Sequence, residues 1–343
     1  MEMGILGLPR SGKSALFEIM TGLSGRDSRG EPHQRGLATV PDRRFDHLVK
    51  IFNPLTVSPA RAPFIDVGIR GENAGDSIRQ ALDAADGLVH VVDGFSTQNI
   101  QEMVGRYRKL ADDLILSDLL IVENRLDRMT RIPAKALKPL DLTHMQILPR
   151  LKEGLERGVP LRAQKLSQEE TFSLKSFSFL TLRPELVVIN VGENAPPVED
   201  AFSGMTDILS PVIVINCQLE AEMAGLTPPE REEFLVSLGI GEPAFERIIR
   251  TAFSLLGRIS YFTVGEDEVK AWVIPSGSRA PQAAAVIHKD FERGFIKAEV
   301  VSYADFVDGG NTLAGAKAAG RLRLEGKDYI VKDGDIISFR FNV

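Results

Sequence analysis

The chain has 343 residues, enough for two or three domains and for a core that needs no covalent staples. It is 43% hydrophobic and 26% charged, its one cysteine (Cys217) excludes an internal disulfide, and no apolar run approaches the roughly 20 residues of a membrane-spanning helix. A net charge of −6 argues against nonspecific coating of nucleic acid; the N-terminus has no basic stretch followed by a hydrophobic segment, so a cytoplasmic location without membrane contact is expected.

Met3–Leu6 predicts a buried first strand and Ala15–Met20 a helix. Between them Gly7-Leu8-Pro9-Arg10-Ser11-Gly12-Lys13-Ser14 spells G-x-x-x-x-G-K-[ST], a phosphate-binding loop in the strand, loop, helix setting that the motif requires. Gly7 and Gly12 allow backbone angles at which successive N–H groups converge on phosphates. Pro9, Arg10, Ser11, Gly12, Lys13, Ser14 and Ala15 are the predicted nucleotide contacts; Lys13 is expected to reach the β- and γ-phosphates as the catalytic cation, and the Ser14 hydroxyl to hold Mg²⁺.

Further along, Gly22–Gln34 is polar and glycine-bearing and is read as a loop, the place for a first nucleotide-sensing segment. Ala62–Asp66 predicts a strand ending in a carboxylate; Asp66 is the second Mg²⁺ candidate, or a turn aspartate. Ile78, Ala81, Leu82 and Ala85 repeat at helical spacing, and Leu88–Val92 is a buried strand ending at Asp93, with His90 expected to be a satisfied core histidine. Strand and helix alternate, which predicts an α/β fold with a mostly parallel sheet.

The period then changes: Ile115, Leu119, Val122, Leu126 and Met129 form a heptad seam. Pro133 and Pro139 interrupt it, and a second helix is expected to begin near Pro149 and end at Gly158. Val104–Leu166 holds thirteen Lys or Arg against eight Asp or Glu, a basic arm on an acidic body, which suits either an RNA or ribosome contact or a solvated helical face. Ser167-Gln168-Glu169-Glu170 is a capping box. Strands resume at Leu186–Val191 and Pro211–Asn216, helices follow from Pro228, and from Ile259 short strand-like runs alternate with glycine turns around one helix near Ala283–Phe291. The predicted domains are a discontinuous nucleotide-binding domain (1–103 and 184–258), a helical insertion (104–183) and a small α+β domain (259–343).

Several stretches resemble the YchF family, the Obg-like ATPases. Gly7-Leu8-Pro9 with Gly12-Lys13-Ser14 is similar to that family's G-L-P-N-V-G-K-S; Val40–Arg44, Pro160-Leu161-Arg162, Ala280–Ala284, His288–Val300, Gly326–Tyr329 and Phe339–Val343 are similar to its later signatures. The resemblance implies a P-loop domain with a coiled-coil insertion and a ubiquitin-like β-grasp TGS domain, ATP in preference to GTP, and the ribosome as partner. The guanine-reading N-K-x-D of GTPases is replaced by Asn190-Val191-Gly192-Glu193; Asn190, Val191 and Glu193, with Cys217 and Gln218 of the following loop, are the expected base-binding residues.

The chain also departs from the family. Arg10 stands where the family carries the Asn tied to potassium-assisted hydrolysis, which puts potassium dependence in doubt. Its guanidinium is either a cis arginine finger or a contact to solvent or a partner. Gly25–Gly36 lacks the family's Mg²⁺-binding Thr, and Asp66-Val67-Gly68 replaces D-x-x-G. The expected activity is a slow Mg²⁺-dependent ATPase acting as a nucleotide switch; the alternative is a nucleotide-binding scaffold without useful hydrolysis.

Overall fold

The computed structural model describes residues 2–23, 33–67, 79–80, 82–193, 195, 197–206 and 209–342. The first nucleotide-sensing segment lies largely outside the described residues, as do Gly68–Arg70. In chain order the elements are β1 (Glu2–Gly7), α1 (Lys13–Thr21), β2 (His33–Thr39), α2 (Arg43–Phe52), β3 (Thr56–Ser58), β4 (Arg61–Val67) and β5 (Ala85–Gly94). Then come α3 (Ile100–Thr130), α4 (Pro139–Glu156), α5 (Gln168–Leu174), β6 (Glu185–Val191), α6 (Glu199–Thr206), β7 (Val212–Ile215), α7 (Cys217–Ala224), α8 (Pro228–Ser237) and α9 (Ala244–Leu255). The remainder is β8 (Arg258–Thr263), β9 (Glu268–Pro275), α10 (Ala280–Ile287), α11 (Lys289–Arg293), β10 (Phe295–Ser302), α12 (Tyr303–Asp308), α13 (Leu313–Ala318), β11 (Arg323–Glu325) and β12 (Asp335–Phe341). Among the described residues no helix is long and apolar enough to cross a membrane.

The chain divides into two compact units: residues 1–36 with 63–248, and residues 37–62 with 249–343. In the first, a six-stranded sheet is ordered β2-β4-β1-β5-β6-β7, and the neighbours from β4 to β7 run parallel, as the alternating pattern predicts. The strand order reverses about β1, so the crevice that such sheets open for ligands lies where the loop Gly7–Ser14 leaves it. β6 is buried along its whole length, which is why Leu186–Ile189 reads as a continuous apolar run.

The long helices α3 and α4 form the inserted arm. Ile115, Val122 and Met129 are buried there with Ile147, Leu148, Leu151 and Leu155, and Leu119 and Leu126 pack against them, so the heptad seam is the arm's core. The second arm helix starts ten residues earlier than expected. Pro139 occupies its first turn, where the missing N–H is no loss, and Asp141 accepts from the Lys138 N–H at 2.9 Å. Pro149 lies inside the helix on its exposed side and does not start it. The capping box forms as expected: Ser167 Oγ accepts from Glu170 N, and Glu170 accepts from Ser167 N.

In the second unit the sheet order is β11-β10-β12-β8-β9-β3. Antiparallel pairs β8–β9 and β10–β12 flank a parallel β12–β8 contact, and Tyr261, Ile274, Ala283, Ala284, Phe295 and Val300 build its core. Tyr329–Val331 is no strand and makes only an isolated bridge, Ile330 to Arg279. Residues 37–62, grouped by sequence with the nucleotide-binding strands, pack here. Asp42 caps α2 by accepting from Arg44 N at 2.9 Å; Phe45 meets Phe262 at 6.0 Å between ring centroids, and Arg44 donates to Asp333. Then β3 pairs in parallel with β9 through Val57 and Val269.

Candidate functional site

The loop after β1 has the geometry that its sequence demands. Gly12 adopts φ 94°, and a Cβ there would run into the Asn190 side-chain amide; a Cβ on Gly7 would run into Ser11 Oγ and the Val91 carbonyl. Only glycine satisfies both positions. α1 begins at Lys13 with no side-chain cap on its first N–H groups and no acid in its first turn, while Leu16, Phe17 and Met20 anchor its inner face. The exposed turn with free N–H donors is an anion site by construction.

Pro9, Arg10, Ser14 and Ala15 are exposed around the loop, and Ser11 is fully buried. Arg10 has φ 69°, a left-handed conformation that costs a branched or long L-residue on the order of 1 kcal/mol and that Asn adopts more readily. Burial lowers the pKa of Lys13, and the negative charge of Asp66 partly restores it. Asp66, on β4 opposite Ile5, has a buried Oδ1 with no hydrogen-bond partner among the described residues, and Ser11 Oγ is likewise unpartnered among them. A carboxylate left in that state asks for a cation, since an unpaired buried charge is costly. Ser14 and Asp66 therefore suit Mg²⁺, which takes one or two protein oxygens and completes its shell with phosphates and water. Among the described residues no group of three or more His, Cys, Asp or Glu side chains offers a protein-only metal cage.

The base-side residues fall into two sets. Asn190, 5% exposed, donates from Nδ2 to the Ser11 carbonyl at 3.1 Å and accepts at Oδ1 from the Cys217 N–H at 3.1 Å. One side chain thus pins the phosphate loop to the loop after β7. Cys217 is buried, and burial, helped by Glu220, pushes its thiol up to about 12, so it is no nucleophile at neutral pH. Val191 does not join them beside the phosphate loop: its side chain packs in the core with Met103, Tyr107 and Phe202. Glu193 and Gln218 are exposed, Gln218 N donating to Asn216 Oδ1. Phe95, 52% exposed and beside Gly192, is an aromatic at this rim that the motifs do not flag; its only sequence signal is its place just past the apolar run of β5.

Below the site, two buried carboxylates are fully engaged. Glu185 accepts from Tyr107 Oη, Ser210 Oγ and Arg162, and shares a hydrogen bond with His90 at 3.2 Å. His90 is the satisfied core histidine its sequence position suggests. Burial alone would raise Glu185, but the His90 hydrogen bond and the Arg162 charge outweigh it and hold the carboxyl near about 2. Asp118, wholly buried on α3, takes Arg79 and Leu180 N at Oδ1 and Thr181 N and Oγ at Oδ2, all within 2.7 to 3.0 Å. Sequence periodicity hides it, because it sits one residue before the seam position Leu119.

The YchF-GTPase_C family model, described as "Protein of unknown function (DUF933)", matches residues 258–342. Over the whole chain, the Bacillus subtilis "Ribosome-binding ATPase YchF" is 38% identical and itself fully covered. The rice "Obg-like ATPase 1" is 33% identical with 92% of its length covered. The solved Schizosaccharomyces pombe YchF GTPase superposes with a TM-score of 0.87 at 26% identity, covering 99% of this chain and 97% of that one. With a fully covered relative at 38% identity and the same fold as a solved member, this chain belongs to the YchF family of Obg-like ATPases.

Proposed function

We propose that the chain binds ATP with Mg²⁺ at Gly7–Ser14, hydrolyses it slowly, and uses the bound nucleotide to switch the arrangement of its helical arm (104–183) and a C-terminal TGS domain on the ribosome. The ribosome enters from the printed names of the relatives. The observation that carries the nucleotide reading is Asp66: a buried carboxylate oxygen without a partner, next to the loop lysine.

In this reading the N–H groups of the loop and of the first turn of α1 bind phosphate oxygens. Burial lowers the Lys13 pKa and the Asp66 charge offsets part of that, and Lys13 presents its ammonium to the β- and γ-phosphates. Ser14 and Asp66 would hold Mg²⁺, which when bound draws negative charge from the phosphates. Asn190 keeps the phosphate loop and the Cys217 loop in register for the base, and the exposed Glu193, in place of a guanine-reading Asp, favours adenine. The strained backbone of Arg10 is the argument for a working side chain: a residue held in an unfavourable region is retained when its side chain has a task. Supplied in cis, the guanidinium replaces a potassium ion, so exchanging potassium for sodium should leave turnover unchanged.

One assay tests the reading. ATP should bind more tightly than GTP and be turned over slowly, and Lys13→Ala should fall to the uncatalysed background while Arg10→Ala slows single-turnover hydrolysis without matching loss of affinity. Wild-type turnover equal to that of Lys13→Ala would leave only a nucleotide-binding scaffold. An Arg10→Ala rate equal to wild type would end the finger assignment.

A further inference from the structure

The thirteen basic residues between Val104 and Leu166 separate into two groups. Of the nine along the body of the arm, five are ion-paired, Arg106 with Asp93, Arg125 with Asp141, Arg150 with Glu170, Lys152 with Glu123 and Glu156, and Arg162 with Glu185, and Arg108 donates to the Met205 carbonyl; Lys109, Arg157 and Lys165 are spread singly among acids. The turn joining α3 to α4 differs. Residues 128–140 contain four cations and no acid. Arg128, Arg131, Lys135 and Lys138 are all exposed, and among the described residues none of these four side chains has an ion-pair partner. Of the flanking acids, Asp141 is held by Arg125 and by the Lys138 N–H, which leaves only the exposed Asp127 nearby.

The turn is also stiff. A single 3-10 turn, Ala134–Ala136, lies between Pro133 and Pro139, so its backbone has little freedom to lose on binding. Met129, 3% exposed, faces the arm's own core, and the segment has no aromatic residue to anchor a protein partner. It has no Asn, Gln, Asp or Glu with which to read base edges, the Thr130 hydroxyl donates to the Asp127 carbonyl, and the guanine edges that Arg or Lys could pair lie in the A-form major groove, too deep and narrow for side chains. What remains, beside the single exposed Leu140, is positive charge at the end of a hairpin whose longer helix alone spans about 46 Å at 1.5 Å per residue.

We propose that this turn is the arm's RNA contact, with Arg128, Arg131, Lys135 and Lys138 neutralising backbone phosphates of ribosomal RNA without reading its sequence. The proposal rests on the ribosome-binding reading above and locates it.

The test uses the full chain and a variant carrying Arg128→Gln, Arg131→Gln, Lys135→Gln and Lys138→Gln. Cosedimentation with purified ribosomes and binding to protein-free ribosomal RNA are measured from 50 to 200 mM KCl, a range over which the Debye length shortens through about 10 Å. At roughly 0.7–0.9 per phosphate contact, losing four should flatten the log-affinity against log-salt slope by about 3 to 4 on both probes. ATP turnover and the urea midpoint should not move, because these side chains touch neither the nucleotide site nor the core. An unchanged slope on protein-free RNA overturns the proposal. So does weakening on ribosomes alone, which would assign the turn to an acidic ribosomal protein. If the wild type ignores ribosomes yet binds free RNA through these four residues, the ribosome reading fails and the RNA contact stands; no binding to either probe ends both.

Discussion

Two sets of buried oxygens in the first unit differ in a single respect. At the root of the arm, each oxygen of Asp118 and Glu185 has a donor. At the phosphate loop, Asp66 Oδ1 and Ser11 Oγ have none. All these oxygens are buried, although the Asp66 side chain as a whole is half-buried where those of Asp118 and Glu185 are wholly buried; partner accounting is what distinguishes the oxygens. A carboxylate with both oxygens engaged holds helices to a sheet; Asp66 shares with Glu2 and Glu220 a buried oxygen with no hydrogen bond among the described residues, and it differs from those two by its charge acting on the phosphate-loop lysine.

The comparison is broken or sharpened by substitution. The largest effect is expected for Asp118→Ala, which strands Arg79 and the donors of Leu180 and Thr181 together: a loss of about 3–5 kcal/mol in urea unfolding, the range for removing one side of a buried ion pair. A loss under about 1 kcal/mol would show that the network relaxes around the gap and that satisfaction is no mark of structural weight.

Next comes Glu185→Gln, expected to cost about 1–3 kcal/mol at neutral pH, since the amide keeps part of the hydrogen bonding. Its signature is pH dependence. Glu185 is held below its ordinary 4.5, so its contribution is complete above pH 4.5 and disappears as pH falls toward about 2. The gap between wild-type and variant urea midpoints should therefore close on acidification through that window. A gap constant with pH would mean that Glu185 is not ionised in the folded protein.

The smallest effect on stability belongs to Asp66→Asn, expected within about 1 kcal/mol because its Oδ1 has no hydrogen bond to lose and only the longer-range attraction to Lys13 is removed. Yet it should abolish the tightening of ATP binding by Mg²⁺, measured by titration calorimetry. A stability loss as large as that of Asp118→Ala would place Asp66 with the structural set.

Much of this was legible in the residues. The phosphate loop, the strands β1 and β4 to β7, and the arm's seam are written in local patterns: glycines at fixed offsets, apolar runs, a heptad step. What stayed hidden depends on partners far along the chain. Nothing near Asp118 announces that Thr181 lies opposite it, and nothing in residues 43–58 says that a helix with two buried apolar residues and a three-residue strand will join strands two hundred positions later. Asn190 was legible as a site residue, whereas its bond to the Ser11 carbonyl was not, because backbone acceptors leave no mark in sequence. Pro149 misled for the opposite reason: a strong local signal for a helix start was overridden by packing of the surrounding turns against α3.

The detour through residues 37–62 bears on modularity. The chain passes between its two units at three places, near residues 36, 62 and 248, so the C-terminal unit is no detachable bead on a string. A gene fragment starting after α9 would encode a sheet missing its outer strand β3 and the Phe45 side of its Phe262 contact. Conversely, a nick in the α8–α9 connection would cut the peptide without freeing the piece, because α2 and β3 would still grip it through the Arg44–Asp333 and β3–β9 contacts. A family that shuffled or lost this unit would have to rewrite the stretch after its first nucleotide-sensing loop at the same time.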